Sequence, residues 1–242
     1  MRRFFAQPRQ FHQDEVTLDP EETVHLTRVL RLGVGAQVQV CDGAGGTFAA
    51  QVAGLDPQGA RLRILETLPP WGESPLPLTL GIGLAKGEAA DEVVRQATEM
   101  GVARIFPFAS ERSERLSPER LTRRRNRWQR LARESLKSCQ RSFLPHIEPA
   151  GDLAAALKGS EEVKLIFWEE ARGGGLQAVL GRPRPRDVRL LIGPEGGFSA
   201  AEAALARQAG FAVVSLGPRR LKVATAALAA ITLMQYAWGD LA

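Results

Sequence analysis

The stretch LLIGPEGGFSAAE, residues 190–202, decides how this chain reads. An unbroken apolar run enters Gly193-Pro194-Glu195-Gly196-Gly197, and Ser199-Ala-Ala-Glu202 follows with the spacing of a capping box. The order is buried strand, tight loop, capped helix. Glycines at 193, 196 and 197 permit positive φ and close backbone approach. In an open α/β sheet, ligands bind beyond the carboxyl ends of the strands, so this loop lies where a ligand would sit. It is not a P-loop, because no Gly-Lys-Ser/Thr follows. A plain strand-to-helix turn would use the same glycines, so the loop alone leaves both readings open.

Two neighbouring stretches favour a ligand. SLGPRRLKVATAAL (215–228) again ends a strand at a Gly-Pro turn and enters a helix. LIFWEEA (165–171) places aromatic and acidic residues at a strand end. Apolar surface beside hydroxyl acceptors is what an adenine ring and a ribose require. Around these loops the pattern alternates between strand and helix. LTLGIGLA (78–85) reads as a strand buried on both faces, 88–100 as a helix stopped by Gly101, and Val102–Phe108 as a second strand. Ser117-Pro118-Glu119 opens a long helix, with Leu121, Trp128, Leu131, Ala132 and Cys139 on one stripe. Val163–Trp168, Val188–Ile192 and Ala212–Leu216 complete the strands, and an alanine-rich helix covers 223–238. Such alternation predicts an α/β domain with a mainly parallel sheet.

The first part of the chain reads differently. Val34–Asp42 alternates with period two, and Thr47–Val52 and Ala60–Leu68 look like further strands around a glycine-marked turn. Glu21–Leu32 is the helical exception, with Val24, Val29 and Leu30 as its apolar residues and Gly33 as its stop. A small barrel-like β domain is expected. PPWGESPLP (69–77), with four prolines, cannot continue a helix or a central strand. The expected division is 1–70 for the β domain, 71–77 for the linker and 78–242 for the α/β domain.

Composition narrows the class. The chain has 242 residues with ordinary hydrophobic and charged fractions, 44% and 24%. No run approaches the roughly 20 apolar residues that span a bilayer, and no signal-peptide core is expected. Cys41 and Cys139 are the only cysteines, which suits a reducing cytoplasm and neither a disulfide framework nor a zinc site. Net charge is +5, but Arg112–Arg141 alone carries eleven Arg or Lys against three Glu. That is +8 locally and about −3 elsewhere. A basic element of this kind attracts polyanions, phosphate backbones above all.

IGPEGGFS followed by LGPR-x-L resembles the C-terminal motifs of the 16S rRNA uridine-N3 methyltransferase family of the SPOUT superfamily. HLTRVLR (25–31), KGEAADEVVRQATEMGVARIFPFASERS (86–113) and Arg141-x-x-Leu-Pro145 are similar to further motifs of that family, so the likeness covers nearly the whole chain. The resemblance implies a PUA-like β-barrel that helps bind RNA, then a SPOUT domain with a deep trefoil knot that binds S-adenosylmethionine (SAM). It also implies a homodimer, and as substrate uridine 1498 of 16S rRNA, within an assembled small subunit. No metal and no membrane enter the chemistry. Two stretches depart from the pattern: Lys222-Val-Ala224-Thr-Ala stands where the family has Arg-x-Glu-Thr-Ala, and Ser138-Cys-Gln-Arg141 where it often has Gln-Ser-x-Arg.

Onto this sequence the resemblance places cofactor contacts at Phe167, Trp168, Glu169, Ile192, Gly193, Glu195, Gly196, Gly197, Leu216, Gly217, Leu221 and Thr225. With Ala224 unable to act as a base, Glu195, Arg112 and Glu99 are the candidates for favouring the uridine N3 anion. Expected RNA contacts are Arg2, Arg3, Arg9, Arg28, Arg31, Arg112, Arg123, Arg124, Arg125 and Arg141. His25 reads as a packing residue. Two other readings share these features. One is a SPOUT enzyme acting on a ribose 2′-hydroxyl of another RNA. The other is a non-catalytic RNA-binding protein of ribosome assembly.

Overall fold

The computed structural model describes residues 1–171 and 175–241. The chain divides into two compact units, Met1–Glu73 with Arg133–Leu144, and Ser74–Ala132 with Pro145–Ala242.

The first unit contains β1 (Arg3–Phe5), β2 (Phe11–His12), β3 (Glu15–Thr17), α1 (Pro20–Val24), β4 (Gln37–Cys41), β5 (Thr47–Asp56) and β6 (Gly59–Leu68). Its sheet runs β1-β4-β5-β6-β3-β2. Only the β1–β4 pair is parallel. The period-two pattern of β4 buries Val38 and Val40 against Phe4, Val16, Leu26, Val52 and Leu62. β5 runs on to Asp56, past the expected end at Val52, because the Asp56 carboxylate accepts from the Gln58 and Gly59 backbone and closes the hairpin there.

The expected helix over 21–32 is present but ends earlier and is irregular, with helical turns from Pro20 to Val29. Asp19 caps α1 by accepting from the Glu22 backbone at 2.8 Å, and Pro20 fills the first position. From His25 the turn widens to a π-helix ending at Val29, with Leu30 N–H reaching His25 O. Arg31, at φ +55, ends it two residues before Gly33. Leu26 is fully buried and Leu30 packs partly buried on the same core, while Val24 and Val29 are exposed. His25 packs edge-on against Phe4.

The second unit contains β7 (Leu78–Gly83), α2 (Ala89–Glu99), β8 (Arg104–Ala109), α3 (Pro118–Cys139), β9 (His146–Ile147), β10 (Gly151–Asp152), α4 (Leu153–Ala156), β11 (Val163–Phe167), α5 (Gly175–Leu180), β12 (Val188–Ile192), α6 (Ala200–Gln208), β13 (Ala212–Val214) and α7 (Val223–Trp238). From Arg133 onward α3 belongs to the first unit. Every described strand pair of this sheet is parallel, in the order β10-β8-β7-β12-β11-β13, with β9 beside β8. β7 and β12 lie at its centre and are buried throughout. The architecture is therefore α/β with a parallel sheet, plus a separate, mostly antiparallel N-terminal sheet. No helix is long and apolar enough to cross a membrane among the described residues.

α3 is anchored in the second unit by Trp128, whose indole donates to Asp91 Oδ1 at 2.9 Å, with Arg127 on the other carboxylate oxygen. Its arginines do not all face solvent. Arg124 binds Ala85 O and Glu114, and Arg125 binds Ile147 O. Neither Cys41 nor Cys139 forms a disulfide among the described residues.

Candidate functional site

β12, β11 and β13 are neighbours, so the loops leaving their carboxyl ends emerge side by side. They enclose a cavity of about 250 Å³. Phe167, Trp168, Glu169 and Glu170 come from the first loop, Ile192–Gly197 from the second, and Ser215–Gly217 with Arg219, Arg220 and Leu221 from the third. Arg112, beyond β8, and Val223 and Ala226, on the first turns of α7, complete the wall.

The glycines of the second loop are required by space. A Cβ on Gly197, at φ +66, would lie 2.6 Å from a Glu169 carboxylate oxygen. A Cβ on Gly193 would press against Gly197 and the Phe198 ring. Gly197 N–H closes the turn on Pro194 O at 2.9 Å. Pro194 in turn fills the space above Gly83 of β7, where a Cβ would lie 2.5 Å from the proline ring and nitrogen. The loop is thus wedged between two strand ends, and only glycine allows the fit.

α6 anchors the second loop. Ser199 and Glu202 form the capping box read from the sequence. Glu202 does more than cap: its second oxygen accepts from the Glu111 backbone at 2.8 Å, tying the segment that carries Arg112 to the same helix start. The Arg112 guanidinium then donates to Gly196 O at 2.7 Å. Trp168 is half-buried, its indole donating to Phe198 O at 3.0 Å and Arg207 lying over the ring. Phe198 stacks on Phe108 beneath the loop. In the third loop the Ser215 hydroxyl accepts from Gly217 N–H and donates to Gly217 O.

Apolar side chains therefore form one wall, carboxylates of Glu169, Glu170 and Glu195 sit at the edge, and guanidiniums of Arg112, Arg219 and Arg220 face the same space. Such a slot can hold a flat, hydroxyl-bearing ligand beside a group that develops negative charge.

Every residue expected to touch a cofactor lines this cavity except Thr225. Thr225 is a correction: on α7, Val223 and Ala226 point inward and Thr225 falls on the exposed face between them. Glu99 is a second correction, since it is exposed at the end of α2 and does not line the cavity. Arg112 and Glu195 do line it. Sequence reasoning missed Glu170, Pro194, Ser215, Arg219, Arg220, Val223 and Ala226. Arg219 and Arg220 adjoin a motif already quoted, and the i, i+3 spacing of 223 and 226 was available.

The arginines expected on RNA separate into two groups. Arg2, Arg9, Arg28, Arg31, Arg112 and Arg123 are exposed. Arg141 is a correction: it is 3% exposed and paired with the Glu73 carboxylate at 2.9 Å, which also accepts from the Ser142 and Phe143 backbone. Arg124 and Arg125 are held by the protein contacts given above, and Arg3 is buried with one nitrogen on Thr47 Oγ1. No group of His, Cys, Asp and Glu among the described residues could hold a metal.

Comparison with known proteins agrees with this geometry. Residues 72–235 match the model of an RNA methyltransferase domain, and residues 18–65 match an RNA methyltransferase PUA domain. The chain is 35% identical over 233 residues to ribosomal RNA small subunit methyltransferase E of Synechocystis sp., covering 95% of this chain and 75% of that protein. A methyltransferase of Legionella pneumophila solved with bound cofactor SAM superposes with TM-score 0.90 at 32% identity, over 99% of this chain and 98% of that one. Ribosomal RNA small subunit methyltransferase E of Neisseria gonorrhoeae, bound to SAM, gives TM-score 0.88 at 32% identity over 100% of both chains. Together these matches place the chain in the ribosomal RNA small subunit methyltransferase E family.

Proposed function

We propose that this protein transfers a methyl group from SAM to N3 of one uridine, position 1498, in 16S rRNA of the small ribosomal subunit. It does so in the cytoplasm as a homodimer. The observation that carries the reading is the cavity at the ends of β11, β12 and β13, whose glycine loop packs so closely on Phe198, Arg112 and Glu169 that an added Cβ would collide with them. The donor set fits the cofactor. Phe167, Ile192, Leu216 and Leu221 offer an adenine apolar surface, Glu169 is placed to accept from ribose hydroxyls, and the backbone of Gly193–Gly197 closes over the remainder. The same reading includes the trefoil knot in the second unit. It also assigns residues 1–70 to RNA binding.

When bound, SAM supplies a methyl group already activated by its sulfonium. The protein's task is orientation and charge. The uridine must leave its stack to present N3, which lies on the Watson–Crick edge. Alignment of N3 with the methyl is an orientation effect. The N3 proton must depart, and Glu195, exposed at the rim, is the acceptor we assign. Arg112, fixed by Gly196 O, supplies the positive charge that favours the imide anion.

The test is mass spectrometry of 16S rRNA from a strain lacking this protein. Loss of one 3-methyluridine is the expected result. An unchanged 3-methyluridine content, or loss of a 2′-O-methylated nucleoside instead, would overturn the substrate assignment.

A further inference from the structure

The first unit holds a second cavity, of about 400 Å³, lined by Arg2, Arg3, His25, Lys137, Ser138 and Gln140 among others. Arg3 is 9% exposed. One terminal nitrogen donates to Thr47 Oγ1, but its Nε is buried with no hydrogen-bond partner. Among the described residues no carboxylate forms an ion pair with it. Cys41 lies beside it and does not supply the charge: burial pushes that thiol up to about 11, against the pull of Arg3, and keeps it neutral. Lys137, across the cavity, is matched by the carboxylates of Glu22 and Glu134.

A buried guanidinium with an unused donor and no counter-charge is an unfavourable arrangement. An oxyanion in the cavity would provide the missing counter-charge to the Arg3 side chain that lines it. The planar fork of arginine suits phosphate oxygens, and the Ser138 hydroxyl and Gln140 amide add neutral donors on the same wall. The Glu134 carboxylate also lines the cavity, offset by Lys137 at 2.9 Å, and the carbonyl end of α3 opposes an anion with roughly half a charge at most, against two full guanidinium charges. We infer that this cavity seats one phosphate group, held by the buried Arg3 and the exposed Arg2. The favoured source is a backbone phosphodiester of the rRNA. That source rests on the methyltransferase reading, whereas the seat itself does not.

The experiment has two arms. In the first, thermal stability is followed as inorganic phosphate replaces chloride at constant ionic strength. The wild-type midpoint should rise, and the rise should vanish in Arg2→Ala and Arg3→Gln and partly return in Arg3→Lys. In the second, affinity for a 16S rRNA fragment is measured against salt. Arg2→Ala should flatten the log–log slope by about 0.7 to 0.9, the loss of one phosphate contact. Phosphate stabilisation together with the flatter slope supports the rRNA source. Phosphate stabilisation with an unchanged slope keeps the seat and assigns it to free phosphate. If Arg2→Ala, which alters an exposed side chain and leaves the fold intact, changes neither, the inference is overturned. SAM binding, measured on the same variants, reports separately on the methyltransferase reading.

Discussion

Arg112 and Gly196 are 84 residues apart, yet the guanidinium of one donates to the carbonyl oxygen of the other at 2.7 Å. The contact fixes a cation at the cavity wall without burying it. Arg112→Ala should lower the methyl-transfer rate on rRNA by about 10²-fold, the effect of removing one preorganised charge-stabilising donor. Unfolding free energy should change by no more than about 0.5 kcal/mol, as for other exposed positions. Arg112→Lys should recover part of the rate. Single-turnover methylation with saturating SAM checks this, and a rate within threefold of wild type for Arg112→Ala would remove Arg112 from the mechanism.

Gly83 tests the wedge beneath the loop. Its Cβ would meet the Pro194 ring and backbone nitrogen at 2.5 Å, and backbone cannot turn aside as a flexible side chain can. Gly83→Ala should cost about 1–3 kcal/mol by overpacking. It should also weaken SAM binding, because the strain is relieved by moving the Gly193–Gly197 loop. Gly33→Ala is the control, since nothing lies within 4 Å of the added carbon. Denaturant unfolding and calorimetric titration with SAM, run on both variants, distinguish a local wedge from a general intolerance of alanine.

The features that proved legible in the sequence are those whose cause is local. Gly193, Gly196 and Gly197 announce a tight turn, in which Gly197 takes the positive φ, and Ser199 with Glu202 announces the helix after it. The strands on either side carry their burial in their own composition. The features that stayed hidden depend on partners distant in the chain. Nothing near Arg141 reveals that Glu73, 68 positions away, will neutralise it. Nothing in VRLLI explains a 9%-exposed Arg189 inside a central strand until Glu161 is seen beside it. The helix over 21–32 was legible in kind, but its widened turn at His25 and its early end were not, and of its expected apolar residues Leu30 packs on the core while Val24 and Val29 are exposed.

The Arg189–Glu161 pair sets an acid limit on stability. Burial acts to raise the Glu161 carboxyl, but the Arg189 guanidinium at 2.9 Å and neighbouring hydrogen bonds outweigh it, leaving the group below its usual 4.5. A carboxyl depressed in the folded state stabilises the fold above its unfolded value and loses that contribution as pH falls through the folded value. Stability should therefore decline from pH 4.5 downward. In Glu161→Gln this part of the decline should disappear, at the cost of lower stability near neutrality. Urea midpoints measured from pH 3 to 7 on both proteins provide the check, and parallel curves would contradict it.

The Glu22–Lys137 pair gives the opposite pH signature. Both side chains are almost fully buried, and Glu134 adds a second carboxylate to the ammonium at 2.9 Å. Burial works to lower the Lys137 ammonium, yet the two carboxylates prevail and hold it above its usual 10.5. A lysine raised in the fold stabilises fully below its unfolded value, and that contribution is lost as pH rises through the folded value. Alkaline unfolding should set in above pH 10.5, earlier for wild type than for a variant without the pair. Lys137→Met alone should cost about 3–5 kcal/mol, because it strands the Glu22 carboxylate in an apolar setting. Adding Glu22→Leu should recover most of that loss, since a buried ion pair replaced by packed apolar side chains is often neutral in stability. A double variant no more stable than Lys137→Met would mean that the Glu22 carboxylate is retained for another contact. The candidate is Phe5 N–H, which it accepts at 3.4 Å.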